Sequence, residues 1–123
     1  MNRFVVLGAM ALSLAGCVDK TVDGRALFAE ECSACHGDDA KGGGVLAEGL
    51  TRQPPDLTHI AARNGGVFDI NAVMSQIDGM HRAEGSPMPE FGAGDMGQIV
   101  MIGRTPVPAE LLALAGYLQS IQE

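Results

Sequence analysis

The stretch Cys32-Ser33-Ala34-Cys35-His36 decides how the rest of this 123-residue chain is interpreted. It has the form C-x-x-C-H, which is the signature of covalent haem attachment. Two thiols at this spacing can form thioether bonds with the two vinyl groups on one edge of the macrocycle. The next residue then comes under the ring, where an imidazole nitrogen of His36 can bind the iron. The motif therefore predicts one haem c, held by Cys32 and Cys35 and ligated by His36.

Two other interpretations of the motif compete with haem. Cys32 and Cys35 could form a disulfide or a thioredoxin-like redox pair, but such a pair normally opens a helix after a strand, and the pattern here shows no βαβ unit. They could also bind zinc together with two of His36, His59 and His81. Against zinc, an imidazole directly after Cys35 leaves little room for a shared tetrahedron. Haem is favoured over both.

An export signal precedes the motif. Met1-Asn2-Arg3 is a short positive leader, and residues 4–14 are almost wholly apolar but too few to span a bilayer as a permanent helix. Leu14-Ala15-Gly16-Cys17 then resembles the bacterial lipoprotein box, in which the cysteine receives the lipid. We predict a signal peptide over 1–16, a lipidated tether over 17–20 and a single domain over 21–123. The alternative is ordinary cleavage that leaves Cys17 as a free thiol.

Composition limits the size and the partners of the mature domain. Removal of residues 1–16 leaves 107 residues, enough for one small domain. Fifteen acidic residues face seven basic ones (eight less Arg3), so nucleic acid is an improbable partner. A buried apolar cofactor would supply core volume that the few mature aromatic residues do not; these are Phe28, Phe68, Phe91 and Tyr117.

Helix signals flank the motif and recur later in the chain. Thr21 or Asp23 can cap a helix that runs to about Cys32, and the glycine-rich stretch 42–44 indicates a flexible surface loop. Asp69 can cap a second helix that Gly79 would end. Its apolar residues have helical spacing: Ile70, Val73, Met74 and Ile77.

The last quarter of the chain predicts one more helix. Residues 82–98 are irregular, and Ile99–Ile102 could be a strand fragment or a buried loop. Pro108 suits the first turn of a final helix. One continuous apolar face of that helix comprises Leu111, Leu114, Ala115, Leu118 and Ile121.

An electron carrier needs a second axial ligand opposite His36, and methionine is a common one that raises the reduction potential. The mature chain offers Met74, Met80, Met88, Met96 and Met101. Met88 lies between Pro87 and Pro89, in a loop that cannot be helical and that can hold a thioether over the open haem face. His59 and His81 are the competing ligands, and either would give a lower potential.

These features together resemble the class I cytochrome c family over nearly the whole mature chain. The resemblance rests on Gly24-x-x-x-Phe28, Cys32-Ser33-Ala34-Cys35-His36-Gly37, Pro55-Asp56-Leu57, Met88-Pro89-Glu90-Phe91, and Tyr117-Leu118 in the last helix. It implies an all-α fold of about three to four helices around one haem c. Two departures are the glycine-rich stretch 42–44 and a long irregular segment before the final helix.

The resemblance also implies roles for particular residues. The first and last helices should cross at Gly24 and Tyr117, where glycine lets the backbones approach closely. Met88 should be the second axial ligand. Nδ1 of His36 should donate a hydrogen bond to the carbonyl of Pro55, which would orient the ring. Leu57 should pack on the haem plane.

The predicted function is one-electron transfer rather than enzymatic catalysis. The protein would be a monomeric carrier between redox-protein donors and acceptors, anchored through Cys17 at the periplasmic face of a bacterial membrane, with the inner membrane favoured. A permanently bound haem subunit of a larger oxidoreductase is the alternative. A ligand-binding or peroxidase-like haem protein is less favoured, because Met88 would close the iron site.

Overall fold

The structure is a computed structural model, and it describes residues 21–123. The predicted signal peptide, Cys17 and the tether lie outside the described residues. The described helices are α1 (Gly24–Glu31), α2 (Ser33–His36), α3 (Ile60–Arg63), α4 (Ile70–Asp78) and α5 (Ala109–Ser120). Strands β1 (Ile99–Ile102) and β2 (Thr105–Pro108) form one antiparallel hairpin. Short 3₁₀ turns occur at Val45–Ala47, Leu57–His59 and Phe91–Ala93.

The two long predicted helices before the hairpin begin and end where their capping residues indicate. Of the two candidates for the first cap, the structure selects Asp23, whose carboxylate accepts from the backbone N–H groups of Arg25 and Ala26 at 2.9 and 3.1 Å. Asp69 caps α4 in the same way. Gly79 ends α4 in the left-handed conformation, at φ +79°. These three predictions are confirmed, because capping depends on contacts only a few residues apart.

The core forms where α5 crosses α1 and packs against α4. Gly24 lies directly against α5: a Cβ added there would overlap the carbonyl oxygen of Ala113 and contact Tyr117. The rings of Phe28 and Tyr117 are 5.3 Å apart. The predicted helix crossing is thus confirmed. The other buried residues of these three helices are Val73, Ile77, Ala109, Leu111, Leu114, Ala115 and Leu118.

The hairpin corrects the all-α expectation, although the fold remains mostly helical. Ile99 pairs with Pro108 and Ile102 with Thr105, which leaves a two-residue turn at Gly103-Arg104. Gly103 has φ +63°, and glycine at the first turn position is typical of a type II′ hairpin. The apolar run at 99–102 is therefore a strand rather than a buried loop. Five helices also exceed the three to four expected over this part of the chain, because α2 and α3 are single turns.

No helix within residues 21–123 is both long enough and apolar enough to cross a membrane.

Candidate functional site

The C-x-x-C-H motif forms a tight helical turn at the end of α1. The N–H of Cys32 donates to the carbonyl of Phe28 at 2.9 Å, and the N–H of His36 donates back to the carbonyl of Cys32 at 2.9 Å. Cys32 therefore ends α1 and begins α2. Positions i, i+3 and i+4 lie on one face of a helical turn. The backbone thus presents Cys32, Cys35 and His36 together on one side.

The glycine-rich stretch forms a loop with Gly43 exposed, as expected, but its other two glycines also pack against the motif turn. The N–H of Gly42 donates to the carbonyl of His36 at 2.7 Å, and the N–H of Gly44 donates to the carbonyl of Cys35 at 3.1 Å. Gly44 is buried, and a Cβ there would overlap the backbone of Ala34. The carbonyls that α2 leaves without helical partners are satisfied in this way.

Two adjoining cavities of about 340 and 390 Å³ open beside the motif. Both are lined by Cys32, His36, Pro55, Gln76 and Met88. The first also contains Cys35, Arg52 and the prolines on either side of Met88. The second is mainly apolar; among its walls are Phe28, Leu57, Ile60, Val73, Leu114 and Leu118.

Burial sets the protonation of the motif. It raises the pKa of the Cys32 thiol to about 11, with smaller contributions from the Glu31 carboxylate and Cys35. Burial also lowers the pKa of His36, because a low-dielectric site disfavours the charged imidazolium. At neutral pH His36 is therefore a neutral imidazole, the form that can donate a lone pair to a metal.

Nδ1 of His36 is buried and has no hydrogen-bond partner. The expected hydrogen bond to the Pro55 carbonyl is thus not formed in this structure, although Pro55 lines both cavities beside His36. The two free thiols, the His36 imidazole beside them and the apolar second cavity together fit a covalently held haem.

Of the candidate axial ligands in residues 21–123, Met88 is the methionine that lines both cavities. Met96 is buried in the core cluster, and Met74 is partly buried against that cluster, as Met88 also is. Neither Met74 nor Met96 lines a cavity. Met80 and Met101 are more than half exposed and line neither cavity. His59 and His81 line neither cavity either, and Nδ1 of His59 lies 3.1 Å from a carboxylate oxygen of Asp56.

The alternatives to haem receive no support from this geometry. Cys32 and Cys35 are free thiols rather than a disulfide. The raised pKa of Cys32 is the reverse of what a thiolate nucleophile requires. Within the described part of the chain, no three His, Cys, Asp or Glu side chains are gathered as a metal site would need, so the zinc set that includes His59 and His81 is not assembled.

Two contributors to the site carried no signal in the sequence. The Gln122 amide at the end of the chain donates to the carbonyl of Leu57 at 2.8 Å, which holds one wall of the second cavity in place. Arg82 donates to the carbonyls of Met88 and Pro89. Both contacts join segments that lie in irregular regions or far apart in sequence, so no local pattern could have indicated them.

A comparison with known families identifies the chain. Residues 21–122 match the family model described as cytochrome c. The chain belongs to the cytochrome c family. The predicted cofactor, one covalently attached haem c, is therefore confirmed at the level of the family, as is a role in electron transfer. Neither the search of curated proteins nor that of solved structures found a match for this cytochrome c.

Proposed function

We propose that this cytochrome c is a one-electron carrier tethered to a membrane, with haem bound through Cys32 and Cys35 and ligated by His36 and Met88. When bound, the haem supplies an iron centre that accepts and releases a single electron. The observation that carries the proposal is the common location of His36 and Met88, which line the same two cavities beside the cysteine pair.

Different residues would attach the haem, ligate its iron and pack against it. The two thiols would form the covalent bonds, and the neutral His36 would provide one axial nitrogen. Met88 would provide the opposite thioether, which favours a higher reduction potential than a second histidine. Pro55 would contribute a wall beside His36, since it lines both cavities. The half-buried Leu57 would pack against the macrocycle.

The apolar second cavity supports electron transfer without bond-making. Phe28, Val73, Leu114 and Leu118 give this side of the site apolar walls, and binding of the iron by both His36 and Met88 would leave no open position for a substrate. This supports a carrier over a ligand-binding or peroxidase-like haem protein. The mature domain is acidic, so basic redox partners would be attracted to it.

The location of the protein follows from the signal in the sequence. Cleavage before Cys17 and lipidation of that residue would leave a short tether and confine the domain to the periplasmic face of a bacterial membrane, with the inner membrane favoured. The several acyl chains of bacterial lipoproteins would give stable attachment, whereas one chain gives only marginal binding. Confinement to a surface would raise the effective concentration near membrane redox complexes.

The test is spectroscopic and uses protein matured with haem-attachment machinery. Wild type should give a c-type pyridine haemochrome and the weak red charge-transfer band of a methionine–iron(III) bond. Met88→Ala should lose the red band, become high-spin and bind carbon monoxide readily. Met101→Ala is the matched control, because Met101 is 60% exposed on the hairpin; it should keep the wild-type spectrum.

Each other outcome has a defined meaning. An unchanged spectrum in Met88→Ala would overturn the ligand assignment and favour His59 or His81. Co-purification of the protein with a larger enzyme at fixed stoichiometry would replace the free carrier by a permanently bound haem subunit.

A further inference from the structure

The loop that contains Met88 can form few hydrogen bonds within itself. Pro87 and Pro89 lack the backbone N–H group, so neither can donate a hydrogen bond within the loop. Ser86, Pro87 and Pro89 are exposed, and Met88 is half-buried. A loop of this kind keeps one conformation only when other parts of the protein hold it.

Arg82 provides that support. Its Nη1 donates to the hydroxyl of Ser86 at 2.8 Å and to the carbonyl of Met88 at 2.9 Å, while Nη2 donates to the carbonyl of Pro89 at 2.5 Å. One guanidinium thus bonds to three acceptors within four consecutive residues. The planar fork of arginine can do this, whereas the single ammonium of lysine cannot reach the same set with fixed geometry.

Arg82 is in turn fixed to the end of α4. Its N–H donates to the carbonyl of Gly79 at 3.1 Å. Gly79 is buried, and a Cβ at this position would overlap the guanidinium, so glycine leaves the space that the side chain occupies. Because Val73 and Ile77 bury one face of α4 in the core, Arg82 links the Met88 loop to a helix that is packed in the core.

We infer that Arg82 is a positioning residue for the axial methionine: it holds the main chain at Met88 and thereby keeps the thioether over the haem site. This rests on the proposed ligation by Met88. Arg82 itself lines neither cavity, so its effect passes through the loop and not through direct contact with the cofactor.

The experiment measures how easily an added ligand displaces Met88 from the iron. In matured Arg82→Gln, ferric protein should bind imidazole about tenfold or more tightly than wild type, because a lost hydrogen bond to a charged group is worth roughly that factor. The red charge-transfer band should also disappear at a lower imidazole concentration. Arg82→Lys should behave like Arg82→Gln, since lysine keeps the charge but not the fork.

The controls separate positioning from general stability. Arg104→Gln removes the same charge from the exposed hairpin turn and should leave imidazole affinity unchanged. Ser86→Ala removes one of the three acceptors and should give a smaller increase. Arg82→Gln in a Met88→Ala background should add nothing to imidazole affinity, because the ligand that Arg82 positions is already absent. Far-UV circular dichroism should show native helix content in every variant.

The outcomes distinguish this inference from the proposed function. If wild type lacks the red band, the assignment of Met88 fails whatever Arg82 does. If wild type has the band but both Arg82 variants bind imidazole as wild type does, the positioning role is overturned and the ligation stands. An equal effect of Arg82→Gln with and without Met88 would also overturn it. If Arg82→Gln fails to mature with haem, the imidazole affinities of Arg82→Lys and Ser86→Ala test the positioning role in its place.

Discussion

Gly24 shows how closely a single position controls this fold. The Cα of Gly24 lies against α5 at the crossing point, where the methyl group of an alanine would overlap the carbonyl oxygen of Ala113. That oxygen belongs to a helix backbone and cannot move without shifting α5, which carries four buried apolar side chains of the core cluster. A small residue is therefore required here for a packing reason, and not for a turn.

Gly24→Ala should destabilise the haem-loaded protein by about 1–3 kcal/mol or more, the usual cost of overpacking a core contact. Gly116→Ala is the matched control, because a Cβ at Gly116 within α5 meets no atom outside its own helix. It should be neutral or stabilising by up to about 1 kcal/mol, since alanine favours helix over glycine. Urea unfolding followed by circular dichroism measures both. Equal stability of the two variants would contradict the close crossing.

At the scale of elements, the turn after Pro55 is held by one carboxylate. Asp56 caps the 3₁₀ turn Leu57–His59: one of its oxygens accepts from the hydroxyl of Thr58 at 2.6 Å and from the N–H of Thr58 at 2.8 Å. The hydroxyl bond is the main cause that lowers the pKa of Asp56 below its ordinary 3.8, and the N–H bond and His59 add to it. This turn positions Leu57 in the wall of the second cavity.

Hydrogen bonds that lower the pKa of a carboxyl group stabilise the folded protein while that group is charged. Their contribution to the free energy of unfolding is complete above the ordinary pKa and is lost as pH falls through the lower pKa of the folded protein. We therefore expect Asp56→Asn to be less stable than wild type at about pH 5. The difference should shrink at about pH 3, because below the ordinary pKa the unfolded chain takes up a proton at Asp56 more readily than the folded protein does. Urea midpoints at the two pH values test this. A difference that stayed constant would mean that the Asp56 charge has no role.

At the scale of the whole molecule, the start of the described chain and the haem motif lie at opposite ends of α1. α1 begins at its crossing with α5, beside the segment that leads back to Cys17, and ends at the cysteine pair one helix length away. The haem site thus lies at the far end of α1 from the proposed tether. A carrier built in this way could be held at a membrane while its redox site stays accessible to partners.

The proposed tether can be tested with the full chain, expressed in a bacterium with haem-attachment machinery. The mature protein should begin at Cys17, carry covalent acyl chains and partition with membranes, because several acyl chains give stable anchoring. Intact-mass measurement and fractionation test this together. A water-soluble protein with an unmodified Cys17 would show ordinary cleavage instead.

Features that depend on neighbouring residues could be predicted from the sequence. The spacing of Cys32, Cys35 and His36 defines the haem motif, and Asp23, Asp69 and Gly79 set helix ends, because each acts within one turn of backbone. Only the tertiary structure showed that Gly44 packs behind the motif, that residues 99–108 form a hairpin, and that Arg82 holds the Met88 loop. The Gly44 and Arg82 contacts involve residues in irregular backbone, which neither helical nor strand periodicity indicates. The run at 99–102 is continuously apolar and lacks the alternation that would distinguish a half-buried strand.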